Sequence, residues 1–105
     1  MSEFTLGGYM ALHERAAAFT GSDSLPYSVA LWVDDEPVAR GRFGGALLFV
    51  RWTAAGDAPD GHHESGYLVW GDTPDEANAR LGAMSLYDVK AQLDELIAAG
   101  RPEEA

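Results

Sequence analysis

Apolar and polar positions alternate most clearly over residues 27–33, YSVALWV. Tyr27, Val29, Leu31 and Val33 fall on one side; Ser28, Ala30 and Trp32 fall on the other. That two-residue period predicts a strand. Pro26 marks its start, and the acidic DDEP at 34–37 stops it. Residues 46–53, ALLFVRWT, are apolar on both sides and predict a second strand in the middle of a sheet, with Arg51 near its end. A third strand is expected over 64–71, ESGYLVWG, with Tyr67 and Val69 opposed to Leu68 and Trp70. Between these, DDEPVARGRFGG reads as a long connection and AAGDAPDGHH as a polar loop.

A three-and-four spacing replaces the alternation at both ends of the chain. In YMALHERAAAF, residues 9–19, it puts Tyr9, Leu12, Ala16 and Phe19 on one helical stripe, with an extended segment as the alternative because the short alanine run packs in either state. In GDTPDEANARLG, Thr73 is the expected N-cap, Pro74 the first helical residue, Glu76 the capping-box partner and Gly82 the C-terminal cap. In MSLYDVKAQLDELIAAG, Ser85 caps a helix whose stripe is Leu86, Val89, Leu93, Leu96 and Ile97; Gly100 and Pro102 should end it. The sum is an α+β domain: a three-stranded antiparallel meander with an N-terminal helix and two C-terminal helices, in the order α-β-β-β-α-α. It is expected to occupy residues 1–100, with 101–105 as a frayed tail.

Composition narrows the class. The chain has 105 residues and a hydrophobic fraction of 47%, which suits one folded domain and is too apolar for a disordered chain. No cysteine is present, which removes disulfides, thiolate metal sites and cysteine nucleophiles. No apolar run approaches the ~18 residues of a membrane span. Glu3, Glu14 and Arg15 argue against a leader peptide, and the expected location is the cytoplasm. The net charge of −10 repels nucleic acid unless a local basic patch overrides it, and Arg40, Arg42 and Arg51 form the one candidate patch.

Candidate chemistry is sparse. His62 and His63, beside Glu64, Asp57 and Asp60, are the candidate metal ligands, but neighbours in an extended chain point apart. His13-Glu14 could serve acid–base chemistry but has no nucleophile nearby, and the serines of TGSDSLPY lack the GxSxG context. The loop RGRFGG offers Arg40, Arg42 and Phe43, with Arg51 further on, as a clasp for an anion. Trp32, Trp52 and Trp70 fall one to a predicted strand and, with Tyr67, form a candidate aromatic interface.

Two resemblances accompany these readings. The helix–strand–strand–strand–helix order is similar to that of double-stranded RNA-binding domains, but Asp75 and Glu76 open the helix that carries lysines in that family. Residues 66–81, GYLVWGDTPDEANARL, resemble the strand-to-helix segment of HicB-type antitoxins, which implies a partial ribonuclease-H-like fold and a basic ribonuclease as partner. The leading expectation is a non-catalytic interaction domain that binds another protein or itself as a homodimer. It needs no cofactor and makes no direct contact with nucleic acid or membrane. The alternatives are a small-ligand or anion-binding protein, or an enzyme, built on loops 34–45 and 54–63, and a HicB-like antitoxin.

Overall fold

The computed structural model describes residues 4–38 and 40–104, with side chains described to residue 100. The elements are α1 (Leu6–His13), β1 (Ala18–Thr20), β2 (Pro26–Val33), β3 (Phe43–Trp52), β4 (Pro59–Glu64), β5 (Val69–Gly71), α2 (Pro74–Gly82) and α3 (Leu86–Glu104). The class is α+β with an antiparallel sheet, as expected, but the sheet has five strands rather than three. Four form the meander β1-β2-β3-β4, and β5 returns to pair with β3. All helices lie on one side. The molecule is only 21 Å thick in its shortest dimension, room for one sheet and one layer of helices at the usual ~10 Å spacing.

β3 is the axis. One edge pairs with β2, from Tyr27↔Arg51 to Val33↔Gly45. The other edge is shared by β4 near residues 48–52 and by β5 at residues 43–45. The odd-numbered side chains of β2 and β3 face the helices. Tyr27, Val29, Leu47 and Phe49 from the sheet meet Leu6 of α1, Leu81 of α2 and Val89, Leu93 and Ile97 of α3 in one core.

The third strand expected over 64–71 is realised only at Glu64 and over Val69–Gly71, and β4 lies almost wholly in the stretch expected to be a polar loop. His62, His63 and Glu64 pair with Val50, Phe49 and Leu48, the chain steps away at 65–68, and Val69–Gly71 rejoins β3 further along. Ser65 bridges the gap: its Oγ accepts the Leu47 N–H at 2.9 Å, and its own N–H donates to the Leu47 carbonyl at 3.0 Å. A side-chain oxygen thus satisfies a buried ladder donor where no strand residue is in register.

The N-terminal expectation is corrected. The helix covers 6–13, not 9–19, and Glu14 at φ 53° turns the chain through the left-handed region. Phe19 joins β1 opposite Tyr27, and Leu12 is 61% exposed. Alanine packs as readily in extended chain as in helix, so the AAA run could not decide between them. What fixes α1 is its start: Thr5 Oγ1 accepts the Gly8 N–H at 3.1 Å, and Leu6 N–H donates to the Met84 carbonyl at 2.8 Å.

The second helix follows its capping chemistry. Thr73 Oγ1 accepts the Glu76 N–H at 3.1 Å, while Glu76 reaches back to the Asp72 N–H at 2.7 Å. Gly82 is not the cap; Ala83 holds that position in right-handed geometry. Gly82 instead lets two helices approach, since a Cβ on Gly7 would sit 3.1 Å from the Gly82 Cα. In α3, Ser85 Oγ accepts the Asp88 N–H at 3.0 Å as expected, but the helix continues through Gly100 and Pro102 to Glu104. Pro102 forfeits one intrahelical bond without ending the turn.

Two substitutions test this architecture. Ser65→Ala should cost about 1–3 kcal/mol in urea unfolding, because it strands the buried Leu47 N–H. Gly71→Ala should cost a similar ~1–3 kcal/mol, since its Cβ would meet the Ala77 backbone nitrogen at 2.5 Å, where nothing flexible can yield. Wild-type stability in either variant would refute the corresponding contact.

Candidate functional site

The even-numbered side chains of β2 and β3 point away from the helices, and no element covers them among the described residues. Register places Trp32 beside Ala46, Ala30 beside Leu48 and Ser28 beside Val50. β4 adds Glu64 beside Leu48 and His62 beside Val50, and β5 adds Trp70 beside Gly44. A shallow groove of about 520 Å³ runs over this face, floored by Ala46, Leu48 and Val50 and walled by Trp32, Pro59, His62 and Glu64. A second depression of about 270 Å³ adjoins it, between Trp32, Glu64 and Tyr67.

The aromatic residues expected at an interface do collect here. Trp32 is 51% exposed and Tyr67 43% exposed, while Trp52 and Trp70 are half-buried. Trp52 is anchored, its indole N–H donating to Ser28 Oγ at 3.0 Å. Tyr67 leans over Gly44, where any Cβ would strike its ring, and packs against Trp70 with ring centres 4.9 Å apart. Its hydroxyl donates to the Asp34 carboxylate at 2.5 Å. That bond raises the Tyr67 pKa, because ionising the phenol would set an oxyanion against a carboxylate; desolvation adds a smaller push. Tyr27, on the opposite face, is also raised, first by burial and then by its bond to Asp23 at 2.6 Å.

The candidate metal pair is divided. His62 faces the open side, with Nε2 3.7 Å from Glu64, while His63 faces the helices with its ring 6.0 Å from Tyr27. Successive residues of a strand point to opposite faces, so the two cannot grip one ion. No group of three or more His, Asp or Glu side chains suited to a metal occurs among the described residues.

The candidate arginine clasp is also dispersed. Arg51 stands opposite Tyr27 at one end of the β2–β3 pair, whereas Gly45, just beyond the RGRFGG turn, stands opposite Val33 at the other. Loops 34–45 and 54–63 therefore lie at opposite ends of β3 and do not converge on one pocket. Arg51 donates to the Asp60 carbonyl at 2.6 and 2.9 Å. Arg42 reaches Asp72 at 3.7 Å, and its Nε, buried, has no hydrogen-bond partner. Arg40 sits exposed in a turn at φ 54°, and Phe43 opens β3.

The remaining motifs are structural. Asp23 accepts the Leu25 N–H and the Tyr27 hydroxyl, which closes the TGSDSLPY turn. His13 is exposed and packs on Tyr9 with ring centres 4.3 Å apart. Ser65 and Asp34 belong to the face but were not among the sequence candidates, and Glu64 entered only as a carboxylate beside the histidine pair. Their signal was present only in register: a strand beginning at 59 brings Glu64 to the open side.

No family model matches the chain, and no curated protein or solved structure matches it either.

Titration checks the Tyr67–Asp34 pair. A raised folded pKa means the contribution to stability is complete below the ordinary phenol value near ~10 and is lost as pH climbs through the folded value. Absorbance titration should show two of the four tyrosines, Tyr27 and Tyr67, ionising late, and Asp34→Asn should bring one of the two back toward ordinary behaviour. An unchanged titration curve in that variant would exclude the bond.

Proposed function

We propose that this protein is a non-catalytic interaction domain whose docking surface is the uncovered face of the sheet. The observation that carries the reading is Trp32. A large aromatic side chain, half exposed, stands beside a groove floored by Leu48 and Val50 on a face that no helix covers. Tryptophans held this way dominate binding energies when a partner desolvates them, and contiguous apolar surface on a small domain marks a contact site. Trp52 and Trp70 contribute area, and their fixed geometry lowers the entropy lost on docking. The partner is a protein or a second copy of the chain.

A ligand-binding or enzymatic reading has less support. The polar groups that would have formed such a site are spread over both faces and both ends of β3. No helix among the described residues is long and apolar enough to cross a membrane.

Trp32→Gln separates a docking role from a structural one. It should cost no more than about 1–2 kcal/mol of unfolding stability, the worth of the half of the side chain already buried, and leave the chain folded. Proteins captured by the wild-type chain from native lysate should be lost from the variant. A variant that unfolds readily, or that captures the same proteins as the wild type, would refute the proposal.

A further inference from the structure

Resting on the docking-face reading, we infer that the occupant of the open sheet face is a basic amphipathic helix of another protein: its apolar side lies in the groove and its lysines or arginines meet the acidic rim.

The shape argument comes from layering. Apolar side chains on the open face gain from being covered, and an amphipathic helix laid into a hydrophobic groove is a recurring way to cover them. The molecule's 21 Å thickness leaves the second cover to a partner. The exposed side of β3 from Ala46 to Trp52 spans about 23 Å at ~3.3 Å per residue, the length of a helix of about 15 residues.

Charge selects the partner. Glu64 lines both depressions, and among the described residues no lysine or arginine lines either. Asp34 stands at the rim, held by Tyr67, and Asp35 and Glu36 follow it in exposed chain. Among the described residues His62 is the sole imidazole or cationic side chain on the groove wall, and it already leans on Glu64 at 3.7 Å. Four of the chain's cations are engaged elsewhere: Arg42 with Asp72, Arg80 with Glu76, Lys90 with Asp94 and Arg51 with the Asp60 carbonyl. A second copy is the weaker occupant. In a two-fold, face-to-face pair the same acidic rim returns on the other side, and each chain carries a net charge of −10.

The test uses the full-length chain and three synthetic helical peptides of about 15 residues, matched to the span above. All three carry leucine at one face; the other face is lysine, glutamine or glutamate. Fluorescence anisotropy should show the lysine peptide binding at least about tenfold tighter than the glutamine peptide, with the glutamate peptide weakest. Trp32→Ala should weaken the lysine peptide by about tenfold or more. Glu64→Gln should weaken it about threefold to fivefold, while Glu95→Gln on α3, which removes the same charge elsewhere, should leave it unchanged. Circular dichroism of each variant verifies the fold. Equal binding of the lysine and glutamine peptides, still dependent on Trp32, would overturn the basic partner and leave the docking face standing. Binding of no peptide, or binding indifferent to Trp32, would overturn both. A stable dimer in light scattering that Trp32→Ala dissociates would replace the helix with a second copy.

Discussion

Every strand pairing but one runs through β3. It is bonded to β2 along one edge and to both β4 and β5 along the other, while β1 is tied only to β2. On its helix side Leu47 and Phe49 are fully buried and meet all three helices through the shared core. Truncating either would cost on the order of 3–5 kcal/mol, a large part of the stability of a domain this size. The start of the strand is crowded on both sides. Leu81 and Val69 press on Gly45 from the helix side, and Tyr67 presses on Gly44 from the other. Side chains there would push α2 off the sheet or lift Tyr67 from the open face, so two adjacent glycines hold two surfaces in place.

That crowding explains why the two sides differ. On the helix side the large residues sit in the middle of the strands and interlock with α2 and α3. On the open side the strands carry Ala30, Ala46 and Ser28 between the tryptophans, which leaves a groove instead of a ridge. Trp52 is fixed by its bond to Ser28, and Trp70 by its contact with Tyr67. Trp32 has only small neighbours across the strand. Leaving such a side chain half exposed forgoes about 1–2 kcal/mol of burial, a sacrifice that a purely structural residue would not require.

Much of this was legible in the order of residues. The alternation of β2, the central place of β3, and the Thr73 and Ser85 caps all follow from local patterns that tertiary contacts reinforced. The N-terminal segment was not legible, because AAAF fits helix or strand and the choice was made by the bonds from Leu6 and Leu86 to the chain around Met84 and Phe4. The pairing of β4 was hidden because Pro59, Asp60 and Gly61 carry turn chemistry and lie in an edge strand that β3 recruits. The aromatic residues that gather on the open face were singled out by residue, but the carboxylate beside them depended on register: only the pairing of Glu64 with Leu48 turns it to the open side. The histidine and arginine candidates were adjacent or clustered in sequence, and the pleat and length of β3 separated them.

The electrostatic asymmetry follows from the same geometry. Helix surfaces place side chains three and four residues apart within reach, so Arg80 finds Glu76 and Lys90 finds Asp94 on their own helices. A sheet face offers such pairing only between strands, and across Glu64 the neighbour is Leu48. Among the described residues, the carboxylates gathered near the open face are met only by the His62 imidazole, 3.7 Å from Glu64, and, at the rim, by the hydrogen-bonding phenol of Tyr67. At physiological salt the field of exposed charges extends about 8 Å, enough to span a groove one helix wide. An apolar floor favours any amphipathic segment, but the field over it favours one sign. The same helices that complete the core leave the sheet's other face apolar at its centre and acidic near its edge, the pattern on which the proposed partner rests.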